Sequence, residues 1–251
     1  MLKPVGLQMY TVRDYAENDF LGTLKEVAKI GYHGIELAGT YGVRASELKQ
    51  VLDSLNLKVC GSHTVIDFLE KDFDNTVKFN LEVGNKNIVC PWLPESKRNS
   101  AETWKKTAEE LNSLGEKLKG YGLNLSYHNH NFEFERFNNK YGIEILIENT
   151  SPENLKLEVD VFWIKFAGLD PVEFLNKYRD RINLIHLKDM ESDGKTFAEV
   201  GEGIIDFRPI FEAGDTGMVE WYVVEQDICK RPSLESAKLS FENLKRWGRV
   251  W

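Results

Sequence analysis

About eight short apolar runs alternate with about eight stretches of helical periodicity along the 251 residues, and no Pro/Gly/Ser-rich linker interrupts them. Strict alternation of this kind implies a parallel sheet, and eight units in about 250 residues imply that the sheet closes on itself. The predicted fold class is therefore α/β, a (β/α)8 TIM barrel occupying residues 1–251 as one domain. An open doubly wound sheet is the competing solution, but no GxGxxG follows the first apolar run.

The elements follow in order. Val5 to Tyr10 reads as the first strand. Asn18 or Asp19 caps a helix in which Phe20, Leu21, Leu24, Val27, Ala28 and Ile30 recur at helical spacing, with Gly31 as its stop. GIELAG (34–39) is the second strand, Ser46 caps the helix ELKQVLDSLNL, and LKVCGSH is a third strand ending at His63. The helix DNTVKFNLEVG and the strand NKNIVCPW come next, then a long helix from about Ser100 to Lys119. Leu123, Leu125 and Tyr127 alternate as a half-buried fifth strand. YGIEILIENT is helical, LEVDVFW completes a sixth strand, and Pro171 sits in the first turn of the next helix, where its missing N–H costs nothing. INLIHLKD is the seventh strand and EWYVVEQD the eighth. Helices from Phe207 to Ala213 and from Ser233 to Trp247 complete the series.

Bulk composition narrows the function. The chain carries 40 acidic and 32 basic residues, a net charge of −8, which disfavours a nucleic-acid surface. No apolar run approaches the roughly 20 residues that span a bilayer. Cys60, Cys90 and Cys229 are widely spaced without a CxxC pair and read as buried thiols, consistent with a cytoplasmic protein. No nucleic-acid and no membrane partner is expected; a homo-oligomer stays open.

Active sites of such barrels sit at the C-terminal ends of the strands. That rule selects Gln8, Glu36, His63, Trp92, His128, His130, Glu133, Asp160, His186, Lys188 and Glu225. Glu133, Asp160, His186 and Glu225 offer oxygen and nitrogen ligands without thiolate, a set suited to one divalent ion (Mn, Co, Mg or Zn). His128 and His130 are two residues apart, so in a regular strand both face the same side, where one binds metal and the other acts as base. Glu225 is the alternative base, and Lys188 is placed to neutralise a developing oxyanion. Gln8, Glu36, His63 and Trp92 read as substrate-binding positions. The polar loop from Met190 to Gly203 leaves strand seven beside the site. It is expected to close over substrate, with Glu202 meeting Lys188 or a substrate hydroxyl.

At these strand ends the chain resembles the sugar-phosphate isomerase/epimerase superfamily of xylose isomerase-like TIM barrels, which includes inosose isomerases and dehydratases and ketose 3-epimerases. GLQMYTVRD, GIELAG, YHNHNFEF, LEVDVFWIKFAGLDP, HLKDM, FAEVGEGIIDF and WYVVEQD carry the likeness, which covers essentially the whole chain. The resemblance implies one metal held by Glu, Asp, His and Glu, here at Glu133 or its neighbours, Asp160, His186 and Glu225. In the ketose epimerases the first ligand is a Glu directly at the end of strand five. His128 holds that place here, so the first ligand is His128, His130 or Glu133. The implied chemistry is isomerisation or epimerisation of a keto-sugar or inosose through an enediolate. A lyase or dehydratase with the same metal site, and a non-catalytic sugar-binding barrel, are the alternatives.

Overall fold

The computed structural model describes residues 2–250. Eight parallel strands close into a barrel: β1 (Val5–Gln8), β2 (Gly34–Leu37), β3 (Lys58–His63), β4 (Asn87–Cys90), β5 (Asn124–His128), β6 (Lys156–Asp160), β7 (Ile182–Leu187) and β8 (Trp221–Val224). Each pairs with its sequence neighbours, and β8 closes on β1 with Val5 opposite Tyr222. The helices are α1 (Arg13–Ile30), α2 (Ala45–Leu55), α3 (Ile66–Lys71), α4 (Phe73–Val83), α5 (Ala101–Lys119), α6 (Gly142–Glu148), α7 (Val161–Phe166), α8 (Pro171–Lys177), α9 (Phe207–Asp215) and α10 (Ser233–Arg246). The (β/α)8 barrel expected from the sequence is the fold observed. Among the described residues no helix is long and apolar enough to cross a membrane.

The strands run short where polar chemistry takes over. β1 stops at Gln8, whose side chain accepts from the Tyr10 amide and starts a 3-10 turn, Met9–Val12. β6 stops at Asp160, whose Oδ1 accepts from the amides of Phe162 (2.9 Å) and Trp163 (3.3 Å). Those aromatics therefore belong to α7 rather than to the strand, as N-capping by Asp dictates. α1 begins earlier than its apolar periodicity indicates, at Arg13, yet its backbone breaks at Asp19 (φ −153°, ψ 87°). There the carboxylate takes the Gly22 amide, so Asp19 caps the apolar half of the helix from inside it. The cap expected at Ser46 is absent: α2 starts at Ala45 with no side-chain cap. Ser100 caps α5 with a reciprocal Thr103 bond. The insertion α3 was not foreseen. With α4 it builds one wall above the barrel mouth.

Near the N-terminal end of the barrel, buried amides take the place of apolar packing. Asn87 Oδ1 accepts from Asn124 (2.9 Å) and Asn183 (3.1 Å), and Ser126 donates to Asn183 (2.9 Å). Cys60 and Cys90 are buried free thiols, and Cys229 is half-buried.

Candidate metal and active site

The mouth of the barrel is assembled by local backbone choices. At Gly61 a Cβ would come 2.2 Å from Glu36 Oε1, so glycine in β3 makes the room in which Glu36 is buried. The Asn129 side chain clamps β5 to β6 by donating to the Asp160 carbonyl (3.2 Å) and accepting from its amide (3.0 Å). With Oδ1 committed to the N-terminus of α7, Asp160 turns Oδ2 toward the barrel axis, 3.0 Å from Lys188 Nζ and 3.8 Å from His128 Nε2.

Two sets of side chains meet there. His128, Asp160, His186 and Glu225 bring one ligand atom each within 4.8 Å of one another, and so do His63, His128, Glu158 and His186. The sets share His128 and His186. His186 Nδ1 lies 2.8 Å from Glu225 Oε2, and Nε2 lies 2.7 Å from Glu36 Oε2 and 3.3 Å from Glu158 Oε2. His63 Nε2 lies 3.0 Å from Glu158 Oε2. Lys188 Nζ sits 2.9 Å from Glu225, 3.0 Å from Asp160 and 3.2 Å from Asp227. Almost every one of these groups is buried.

The donor set fits a divalent cation. His128 Nδ1, Glu36 Oε1, Glu158 Oε1 and Asp160 Oδ2 are buried without an aligned hydrogen-bond partner, even where a charged neighbour is close. Buried polar atoms are rarely left so, and a nitrogen–oxygen set of this kind suits Zn, Mn or Co.

Burial and neighbours pull the titrations apart. For His63 burial opposes the charge, but Glu36 and Glu158 outweigh it and raise the imidazole to about 10. Burial also opposes the charge of His186, but Glu158, Glu36 and Glu225 outweigh it and raise the imidazole well above its usual value. Burial, then Lys188, lowers His130 to about 3, and burial with the neighbouring imidazoles lowers His128 well below its usual value. Burial raises Asp160 to about 6, against the pull of Lys188. Burial would raise Glu225 too, yet Lys188 and His186 hold it well below the carboxylate range.

Of the residues selected from the sequence, the structure brings together Glu36, His63, His128, Asp160, His186, Lys188 and Glu225. His130 flanks them, with its ring centroid 4.9 Å from that of His128. Glu133 lies outside both ligand sets: its carboxylate accepts from Tyr127 Oη (2.8 Å) and from the His130 amide (2.8 Å) and so staples the loop that carries His130. Gln8 donates to Glu36 (2.8 Å) while its oxygen starts the 3-10 turn, so it supports the site from below. Trp92 is an exposed rim residue. Glu202 accepts from Asn243 of α10 (2.8 Å), and Lys188 pairs elsewhere. The loop after β7 is anchored by Asp189, which takes the amides of Met190, Gly201, Gly203 and Ile205.

Sequence reasoning passed over Glu158 and Asp227. Glu158 had a signal: it lies two residues before Asp160, so a period of two puts both carboxylates on one face of β6. Asp227 had the same signal, two residues after Glu225 in EWYVVEQD, although both lie past the end of β8.

A parallel barrel with histidines and carboxylates gathered at the C-terminal ends of β2, β3, β5, β6, β7 and β8 defines a class: α/β barrels with a strand-end donor set that could hold a cation. A family model for the xylose isomerase-like TIM barrel matches residues 24–247, and the chain belongs to that family. The inosose dehydratase of Clostridium beijerinckii is 28% identical, the match covering 84% of this chain and 83% of that protein. A sugar phosphate isomerase/epimerase from Parabacteroides distasonis superposes with a TM-score of 0.88 at 25% identity, over 100% of this chain and 96% of that one. The IOLI protein, solved with a bound zinc atom, superposes at 0.74 with 17% identity, over 97% and 95%.

Proposed function

We propose that the protein is a divalent-metal-dependent enzyme that removes a proton from the carbon next to a carbonyl on a keto-sugar or inosose. The observation that carries this reading is the buried His128, Asp160, His186 and Glu225 set, of which His128 and Glu225 line a cavity of about 1290 Å3. When bound there, the cation would polarise a substrate carbonyl as a Lewis acid.

The chain supplies the proton chemistry. His63 and His130 both line the cavity, with ring centroids 5.4 and 4.9 Å from that of His128. His130 faces the cavity with an Nδ1 that has no hydrogen-bond partner, so it is placed to accept the proton. His63 keeps its proton and donates it. In this reading His130 is the base and His63 the acid, both within reach of the same substrate. Lys188 Nζ, 2.9 Å from Glu225 and 3.0 Å from Asp160, adds its positive charge to the site through those carboxylates. Glu225, engaged by His186 and Lys188, serves better as ligand than as base.

Returning the proton at the neighbouring carbon gives isomerisation, and returning it on the other face gives epimerisation. Donation from His63 to a departing β-hydroxyl gives dehydration instead. The inosose dehydratase relatives favour keeping dehydration as an outcome at the same site. A panel of keto-sugars and inososes incubated in D2O, with Mn2+ or with EDTA, tests the reading. Deuterium is expected next to the carbonyl of at least one compound with Mn2+ and in none with EDTA. Compounds that bind with no exchange in either condition would make the protein a sugar-binding barrel.

A further inference from the structure

The polar cluster fills only the floor of the cavity. Its volume, about 1290 Å3, exceeds the roughly 300–1,000 Å3 that accommodates a drug-sized ligand, and a single sugar ring is smaller than such a ligand. Above the floor Tyr10, Val65, Phe68, Trp92 and Ile228 are the exposed large apolar residues of the lining, among polar ones such as Arg13, Arg44, Asp72 and Asn75. The apolar five come from four separate places in the chain: the turn after β1, the α3 insertion, the loop after β4 and the loop after β8. All five are exposed, Phe68 at 52% and Ile228 at 67%. Large apolar side chains are normally exposed singly; their convergence around one concave mouth marks a contact surface for an apolar group.

The rim is continuous with the polar floor in one cavity, so a single molecule can reach both. Val65 and Ile228 offer no hydrogen bond to a second sugar ring and no aromatic face for its C–H groups to stack on. We infer that the substrate is a sugar or polyol ring bearing an apolar substituent: a glycoside whose aryl or alkyl aglycone lies on the rim while the oxygenated ring sits on the His63–Glu225 floor. This rests on the function proposed above for the ring and adds the class of its substituent.

Calorimetric titration with matched methyl and phenyl β-glycosides of glucose and galactose, and with their 3-keto derivatives, tests it on the metal-loaded protein. In at least one pair the phenyl compound is expected to bind about tenfold more tightly or better, from the apolar area that a phenyl ring removes from water. That ratio should fall to about twofold or less in Phe68→Ala and in Ile228→Ala, exposed positions where the fold tolerates truncation. Equal affinities, a ratio untouched by both substitutions, or disaccharides that match the phenyl compounds would each overturn the aglycone. So would rim variants that change only the oligomeric state by light scattering. If no glycoside binds, the inference fails as well. The ring chemistry is judged separately, by deuterium exchange on the free inososes, so the two failures are distinguishable.

Discussion

Lys188→Met removes the fixed cation of the site and leaves its anions in place. The ammonium is 1% exposed and lies within 3.2 Å of three carboxylates, those of Asp160, Glu225 and Asp227. Met roughly preserves the volume, so the cavity term is small and the electrostatic term dominates. Breaking one side of a buried ion pair costs about 3–5 kcal/mol, because the remaining charge stays desolvated. In EDTA, urea denaturation should show that loss, and the melting temperature should fall by about 6–20 °C for a chain of this length. The deficit should shrink on acidification, as Asp160, which already titrates near 6 beside Lys188, takes up its proton. A divalent ion at a hundred times its dissociation constant should return about 2.7 kcal/mol, since it binds only the folded state. A loss below about 1 kcal/mol in EDTA would refute the claim that these carboxylates depend on Lys188 for compensation.

Glu225→Gln should still fold, at a cost in stability because Lys188 and His186 lose a charged partner, yet lose solvent exchange into substrate; activity above about a tenth of wild type, a barrier change of only ~1.4 kcal/mol, would remove Glu225 from the site. Glu133 holds its proton to about pH 8 in the fold because it is buried, against an ordinary value of 4.5. Between those values the native state binds more protons than the unfolded chain, so wild-type stability should fall with rising pH by up to about 1.4 kcal/mol per unit. Glu133→Gln, whose amide can keep both the Tyr127 and His130 contacts, should flatten that slope in denaturation curves from pH 5 to 8. Asp189→Ala strands four amide donors, and hydrogen exchange across 190–205 should accelerate about 30-fold or more, for a local loss of at least ~2 kcal/mol; unchanged protection would mean that the loop is held by other contacts.

The barrel was legible because strand and helix periodicities differ and alternate cleanly, and because strand ends in such barrels collect polar groups. Glu36, His63, Asp160, His186, Lys188 and Glu225 could be found from that rule alone. What the pattern hides is direction. Glu133 looks like a ligand in YHNHNFEF, but a 3-10 turn at Phe132–Phe134 carries its carboxylate back to Tyr127. Glu202 sits in a loop whose path is fixed by Asp189 and by Asn243, 41 residues further on, and no local signal reports such a contact. The end of β6 misled for the opposite reason: VDVFW has strand composition, and only the capping bonds of Asp160 convert its second half to helix.

Manganese binding measured by paramagnetic resonance on chelator-stripped protein tests the central claim most directly. One Mn2+ per chain is expected in the wild type, with affinity reduced at least about tenfold in Asp160→Asn and in His128→Ala, since each contributes one donor to the set. Glu133→Gln should bind as the wild type does. No bound manganese, or binding that Glu133→Gln abolishes and His128→Ala leaves intact, would contradict a cation held by His128, Asp160, His186 and Glu225.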